Sequence, residues 1–300
     1  MDHADGHDPV ECDHRTGHTG ASSGVGRQVA IQLATTGHDV ILVARDPGRL
    51  AETVADIQGR NNGGTVRSRE VDLGEPDEVR LLAQELADEQ PSVVVSNAAA
   101  IPPVEALNSQ GISLALAVNH LAPYLLMRSL VAPSGTRPTR FVVVGGSPSG
   151  LRRAPVDLDD LELRHPEKLG WPPSFRPVIA YARTKNMNTM FVYGLHARLP
   201  AGNGVTINGT HPGVISTTRL NRYDRGAARV FGFLTSRMSK DTVASAADRI
   251  VWLATDPTLA GQSGQYFVDR NPVDTASHTR DPERIDRLWR ASAELVGLEP

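Results

Sequence analysis

Apolar runs alternate with amphipathic stretches along most of the 300-residue chain. Runs rich in valine, isoleucine and leucine are typical of strands buried on both faces of a sheet. This pattern predicts strands at 39–44, around 65–71, and at 93–95, 141–144, 205–207 and 266–268. Helical spacing predicts helices from 29 to about 37, around 50–57, at 77–89, 114–130, 243–253 and 282–295, and in the stretch that contains Tyr181. The alternation indicates an α/β fold in one domain, a doubly wound parallel sheet with helices on both faces.

Two long stretches, 152–177 and 220–239, interrupt this alternation. Loops of this length in a compact domain are usually lids or binding segments. The second stretch contains Phe231, Phe233 and Leu234, and it can equally be an ordinary packed helix. If it is a lid, its apolar side chains predict a fairly apolar and bulky ligand.

The first 18 residues differ from the rest, because they are polar and carry His3, His7, His14 and His18. Histidine clusters can bind metal, but this spacing matches no structural zinc pattern, so we predict no metal site. We expect residues 1–18 to form a polar, disordered or atypical segment and residues 19–300 to form the domain.

Composition narrows the class of protein. A net charge of −3 gives no electrostatic reason to expect nucleic acid or an anionic membrane as a partner. The single cysteine, Cys12, rules out an internal disulfide framework and fits a reducing compartment. No apolar run approaches the ~18 residues that a membrane helix needs, and the N-terminus lacks the pattern of a signal peptide. These features predict a cytoplasmic protein without a membrane span.

A glycine-rich turn, Thr19-Gly20-Ala21-Ser22-Ser23-Gly24-Val25-Gly26, directly precedes the first helical pattern. Such a turn lets a ligand approach the backbone, and the helix that follows offers free N–H groups to a pyrophosphate. About 20 residues later, the next strand is followed by Arg45, where an acidic residue would accept a ribose 2′-hydroxyl. Arg45 instead matches a 2′-phosphate, which favours NADP over NAD, although Asp46 lies beside it.

Tyr181 and Lys185 are the residues most suited to proton chemistry. The chain has only three lysines, against 31 lysines and arginines together. On a helix, positions four apart share a face, so the ammonium would lie beside the phenol and favour its ionised form. Taken alone, the pair can also be a surface tyrosine packed on a lysine stem.

Several motifs together resemble the short-chain dehydrogenase/reductase family over about residues 19–297. They are Thr19–Gly26, Asn97-Ala98-Ala99, Asn119, Tyr181-x-x-x-Lys185 and Pro212-Gly213, in the family's order and spacing. The stretches 111–123, 157–161 and 264–289 resemble its retinol dehydrogenase-like branch. The resemblance implies a Rossmann-type fold, a homodimer or homotetramer, and a small carbonyl or alcohol as substrate.

The resemblance also implies a catalytic group of Asn119, Ser147, Tyr181 and Lys185. Tyr181 would exchange a proton with the substrate oxygen, and Lys185 would lower its pKa and bind the nicotinamide ribose. Ser147 would hydrogen-bond the substrate oxygen, with Ser149 as the alternative. Asn119 would hold a helix backbone and a water for proton relay.

The implied cofactor residues lie at several points along the chain. Arg45, Asp72 and Leu73 would contact the adenosine half, Asn97 and Ala98 would line the cofactor, and Thr217 would bind the carboxamide. The full set is Gly20, Ser22, Ser23, Gly24, Val25, Gly26, Arg45, Asp72, Leu73, Asn97, Ala98, Tyr181, Lys185, Pro212, Gly213 and Thr217.

The stretch before Thr19 departs from the family pattern. The first strand should be central and apolar, yet residues 11–18 read Glu-Cys-Asp-His-Arg-Thr-Gly-His. Burying such groups unpaired costs a few kcal/mol each. Either this strand is replaced or poorly formed, or the first 18 residues are not the true product, as after a reading-frame error; we hypothesise the latter. A peptide from the native host that matches residues 1–18 would contradict it.

Two functions follow from the sequence. The first is an NADP(H)-dependent oxidoreductase that interconverts a carbonyl and an alcohol on a fairly apolar substrate. The arginine, alanine and proline bias resembles actinobacterial proteins and associates the chain with a polyketide ketoreductase of antibiotic biosynthesis. The alternative is a catalytically impaired dinucleotide-binding protein that acts as a sensor or scaffold, which a damaged phosphate turn would favour.

Overall fold

The computed structural model describes residues 14–60, 64–213 and 241–300. One sheet of eight strands runs through these residues in the order β3-β2-β1-β4-β5-β6-β7-β8. The strands are β1 Arg15–Thr19, β2 Asp39–Ala44, β3 Val66–Glu70, β4 Val93–Ser96, β5 Thr139–Val144, β6 Val205–His211, β7 Gln265–Val268 and β8 Asn271–Pro272. All neighbours pair in parallel except β7 and β8. The predicted doubly wound α/β sheet is confirmed.

Helices connect the strands and cover both faces. They are α1 Gly24–Thr35, α2 Pro47–Gln58, α3 Pro76–Glu89, α4 Leu114–Ser134, α5 Pro148–Arg153, α6 Arg176–His196, α7 Val243–Thr255, α8 Ser277–Arg280 and α9 Pro282–Leu295. Several begin with proline, whose fixed φ suits the first helical position. Asp46 and Asp281 precede two of these prolines and accept hydrogen bonds from first-turn N–H groups. Local capping chemistry therefore sets these starts.

The sheet separates two apolar layers. On one face α3, α4, α6 and α9 pack together, with Leu125, Phe141 and Trp289 at their centre. On the other face α1, α2 and α7 bury Leu33 and Ile250 against the sheet. Both faces of the central strands are covered, which explains their continuous apolar runs.

Strand β1 forms although its sequence is polar. Thr16 and His18 are fully buried between β2 and β4. The Nε2 atom of His18 lies 2.8 Å from the carbonyl oxygen of Gly26, and the Thr16 hydroxyl lies 3.3 Å from Nδ1 of His38. Burial lowers the pKa of His18 to about 4. Hydrogen bonds to backbone groups of Gly26 and Val95 act in the opposite direction but are the smaller effect. A neutral imidazole with a partner is much less costly to bury than a charged one.

The boundary predicted at residue 18 is therefore wrong, because residues 15–18 belong to the central strand. A polar strand is accommodated here since its side chains are small or find partners. Residues 1–13 lie outside the described part of the chain, as do Cys12, His3 and His7.

Of the two long stretches predicted as lids or binding segments, only the first lies among the described residues. Residues 152–177 include short 3₁₀ turns at Pro166–Leu169 and Pro173–Phe175. Leu163 and Leu169 of this stretch pack against Ala180, so part of the stretch is packed on α6. The stretch 220–239, with Phe231, Phe233 and Leu234, lies outside the described residues.

Helix α4 is the one candidate membrane span among the described residues, by length and composition only. In its most apolar window, 78% is buried inside the fold. Burial of this kind is typical of a core helix, and α4 packs in the apolar layer with α3, α6 and α9.

Candidate active site

Four of the predicted site segments follow the carboxyl ends of β1, β4, β5 and β6. In open α/β sheets, ligands bind at the point where the strand order reverses, which here lies between β1 and β4. The glycine turn follows β1, residues 97–100 follow β4, Ser147 lies just beyond β5, and Pro212-Gly213 follows β6.

The glycine turn is shaped by close contacts that exclude side chains. Gly20 has φ of +74°, and its N–H donates to the carbonyl of Val43 over 2.8 Å. A Cβ atom on Gly20 would lie 2.8 Å from Cα of Ala98, and one on Gly26 would clash with the carbonyl oxygen of Gly20. Gly24 has φ of +53° and begins α1. The turn therefore packs directly on the segment after β4.

The start of α1 is suited to an anion. Ser23 is its N-cap residue, but the Ser23 side chain makes no capping hydrogen bond, and the first turn contains no acidic residue. Ser22 and Ser23 are partly exposed, whereas Val25 is buried. First-turn N–H groups and the positive end of the helix dipole favour a phosphate here. The residues present fit the pyrophosphate of a dinucleotide.

Thr19 joins the turn to β4. Its hydroxyl accepts hydrogen bonds from the N–H groups of Asn97 and Ala98, over 3.2 and 3.3 Å. The Asn97 side chain donates to the Thr19 carbonyl over 3.4 Å. The two predicted cofactor segments are thus held together by direct contacts.

Arg45 and Asp72 form an exposed pair after β2 and β3. Nη1 of Arg45 lies 3.4 Å from Oδ2 of Asp72, and the Arg45 side chain is 57% exposed. The other carboxylate oxygen of Asp72 accepts from Gly74 N–H over 2.9 Å. Asp46 is occupied elsewhere, since it caps α2 and pairs with Arg49 at 3.1 Å. Leu73, next to Asp72, is buried.

Asn119 lies in a π-helical turn of α4, Ala117–Leu121, and is fully buried. Its side chain accepts from the N–H of Ala100 over 2.7 Å and donates to the Ala100 carbonyl over 2.8 Å. The same amide donates to the Thr184 hydroxyl over 3.2 Å, and Thr184 donates to the Tyr181 carbonyl over 2.7 Å. π turns are common at functional sites. Here the turn links residues after β4 to the helix that carries Tyr181.

Tyr181 and Lys185 lie on one face of α6, as their spacing predicts. The Lys185 ammonium lies 5.5 Å from the centre of the Tyr181 ring and donates to the Val144 carbonyl over 2.8 Å. Lys185 is buried, which lowers its pKa to about 8, so the amine is mainly charged at pH 7.

Part of the Tyr181 side chain reaches solvent, yet the protein around it raises the pKa of its hydroxyl through burial. The expected lowering of this pKa by Lys185 is not seen. The pKa is raised because burial removes water from the phenolate. Tyr181 is therefore a protonated phenol, in the state that can donate to a carbonyl oxygen.

Ser147 is the N-cap residue of α5. Its hydroxyl accepts from the Gly150 N–H over 3.1 Å and lies 3.4 Å from the Ser149 hydroxyl. Ser147 is partly buried, whereas Ser149 is exposed. Ser147 is therefore the better enclosed of the two candidates.

Pro212 and Gly213 follow β6 and are held by Arg249 of α7. Arg249 donates to the Pro212 carbonyl over 2.7 Å and pairs with Asp241 at 2.8 Å and Asp269 at 2.7 Å. No sequence motif indicates this role of Arg249. Thr217 lies outside the described residues.

Thr184 was also missed. Its position directly before Lys185 was the available signal, because a hydroxyl there lies one helical turn from Tyr181. Its contacts with Asn119 and Tyr181 make it the link between the two catalytic segments.

Comparison with known proteins identifies the family. Residues 18–154 match the family model described as short chain dehydrogenase. The chain is 30% identical to human retinol dehydrogenase 13, over 94% of this chain and 84% of that protein. It is 32% identical to the "Putative daunorubicin C-13 ketoreductase DnrU" of Streptomyces sp. (strain C5), over 93% and 91%.

Solved structures agree on the fold. An Agrobacterium tumefaciens 3-oxoacyl (acyl-carrier-protein) reductase with NADP bound superposes with a TM-score of 0.63 at 23% identity, over 85% of this chain and 92% of that chain. The motifs, the sheet order and these relatives lead to one assignment. The chain belongs to the short-chain dehydrogenase/reductase family, in its retinol dehydrogenase-like branch, and is a nicotinamide dinucleotide-dependent oxidoreductase that acts on alcohol or carbonyl groups.

Proposed function

We propose that this enzyme uses NADP(H) to interconvert a carbonyl and an alcohol on a fairly apolar substrate, with a polyketide ketone as the class to test first. The observation that carries the proposal is the pairing of Tyr181, a protonated phenol, with the buried ammonium of Lys185 on one face of α6. General acid catalysis by Tyr181 supplies the proton transfer.

Each residue of the site has a distinct task. When bound, the nicotinamide supplies or accepts the hydride. Tyr181 donates its proton to the carbonyl oxygen in reduction and accepts it in oxidation. Ser147 donates a hydrogen bond to the same oxygen as negative charge develops there. Lys185 holds its charge next to Tyr181, and Asn119 fixes the segment of α6 that carries Tyr181 through Thr184.

The NADP preference rests on Arg45. Arg45 is exposed, and Asp72, with which it pairs, also accepts a hydrogen bond from the Gly74 N–H. Asp46, the residue that could favour NAD, is turned to α2 and Arg49. An arginine fork matches the 2′-phosphate of NADP.

Two kinds of observation support the proposed substrate class. Leu163 and Leu169 form a buried apolar cluster with Ala180, the residue directly before Tyr181. The names of two relatives refer to retinol and to reduction of the C-13 ketone of daunorubicin. The second name supports a ketone of antibiotic biosynthesis as the substrate to test first.

The remaining expectations complete the proposal. The enzyme acts in the cytoplasm as a homodimer or homotetramer, and its partner is a small molecule rather than nucleic acid. The sensor alternative has little support, since it depended on a damaged phosphate turn, and the turn after β1 keeps its glycine contacts.

The proposal is tested with purified enzyme, a panel of ketones, aldehydes and alcohols, and both NADPH and NADH. We expect loss of absorbance at 340 nm with a bulky apolar ketone, with a lower KM for NADPH than for NADH. The absence of turnover with every substrate and both cofactors would reject the proposed function. A lower KM for NADH would reject the role given to Arg45.

A further inference from the structure

Tyr266 of β7 is a buried tyrosine beside the site that the catalytic group does not include. It is 1% exposed, and burial raises the pKa of its hydroxyl, so it stays protonated. The hydroxyl donates to the carbonyl of Gly146 over 2.5 Å. Gly146 is the residue directly before Ser147.

The ring of Tyr266 fills the space between the ends of β5 and β6. A Cβ atom on Gly209 of β6 would lie 2.6 Å from the ring, and one on Gly145 would clash with the hydroxyl oxygen. Both strand ends therefore need glycine to admit this side chain. The close fit leaves Tyr266 little freedom to change its rotamer.

The turn that Tyr266 binds also contacts the helix that carries Tyr181. A Cβ atom on Gly146 would lie 3.1 Å from Cβ of Lys185 on α6. The Lys185 ammonium, in turn, bonds the Val144 carbonyl at the end of β5. The Tyr266 phenol thus holds a turn, 144–147, that packs directly on α6.

We infer that Tyr266 is a positioning residue, which holds the turn that carries Ser147 in register with Tyr181 and Lys185. This inference rests on the proposed function and deepens it. A reacting group displaced by about 1 Å can lose up to ~100-fold in rate, so a single well-placed hydrogen bond can have a measurable effect on turnover.

The test is Tyr266→Phe, which removes the hydroxyl and keeps the ring. Tyr124→Phe is the matched control, because Tyr124 is also 1% exposed and donates to a backbone carbonyl, that of Trp289, over 2.7 Å. We expect Tyr266→Phe to lower kcat about tenfold, which is the effect of losing roughly one hydrogen bond in the transition state. KM for NADPH stays within about twofold, and Tyr124→Phe keeps its kcat.

Hydrogen exchange gives a readout that does not depend on turnover. In Tyr266→Phe, we expect faster exchange in the peptide that covers residues 145–150, and we expect no such change in Tyr124→Phe.

A Tyr266→Phe enzyme with wild-type kcat would overturn the inference, as would an equal loss of kcat in both variants, which indicates a general structural effect. If the wild-type enzyme turns over no substrate, the proposed function fails by itself. Exchange then decides, and unchanged exchange at 145–150 in Tyr266→Phe would overturn the inference on Tyr266.

Discussion

Acid should destabilise this enzyme well above the pH at which carboxylates titrate. His18, His120 and His211 each have a pKa lowered from 6.5 to about 4, mainly by burial. Their folded-state pKa lies below the unfolded value, so the unfolded chain binds more protons between these two values. Stability is therefore present above pH 6.5 and is lost as pH falls toward 4.

The size of this loss follows from the shifts. At pH 5, a histidine in the unfolded chain is nearly fully protonated, whereas each of the three in the folded protein is mostly neutral. This difference lowers the free energy of unfolding by about 2 kcal/mol per histidine. The three together lose about 6 kcal/mol, a large part of the 5–15 kcal/mol that holds a typical domain folded.

Urea unfolding at pH 7.5 and pH 5.0, followed by tryptophan fluorescence, measures the loss directly. His18→Val removes one titrating group from β1 and should reduce the difference in unfolding free energy between the two pH values by about 2 kcal/mol. Equal stability at both pH values would refute the reasoning, and an unchanged pH difference in His18→Val would refute the burial assigned to His18.

Two further predictions concern the cofactor. Arg45→Ala should raise KM for NADPH by about tenfold and leave KM for NADH unchanged. This is the lower end for loss of a charge-assisted hydrogen bond, because Arg45 is 57% exposed. An equal effect on both cofactors would contradict contact with the 2′-phosphate. Gly26→Ala should weaken binding of both cofactors at least ~100-fold. The added methyl group would clash with the Gly20 carbonyl, and this backbone cannot shift without disturbing Asn97. Titration of cofactor fluorescence measures this, and affinity within about twofold of wild type would contradict the packing.

Much of the sheet and of the site could be predicted from local patterns. Strands such as Asp39–Ala44 have continuous apolar runs and clear ends, and the Tyr181–Lys185 spacing directly predicts a shared helix face. Arg45 and Asp72 were both predicted cofactor residues, but only the fold brings them within 3.4 Å.

Other features depend on tertiary contacts. β1 was not predicted, because Thr16 and His18 are tolerated in a central strand only through partners at His38 and Gly26. The π turn at Asn119 has no sequence signature, and the hydrogen bonds of that side chain with Ala100 are tertiary contacts. The apolar spacing of α7 predicts a helix, but it does not indicate that Arg249 donates a hydrogen bond to the Pro212 carbonyl.

The role of Tyr181 as the proton donor is tested most directly by the turnover of Tyr181→Phe with NADPH and the best ketone of the panel. Tyr193→Phe is the control, because Tyr193 lies on the same helix and its hydroxyl bonds Thr275 over 2.9 Å. We predict that Tyr181→Phe lowers kcat at least ~100-fold, the lower end for loss of a general acid, while Tyr193→Phe stays within about threefold of wild type. An undiminished kcat in Tyr181→Phe would contradict the assignment of Tyr181 as the acid.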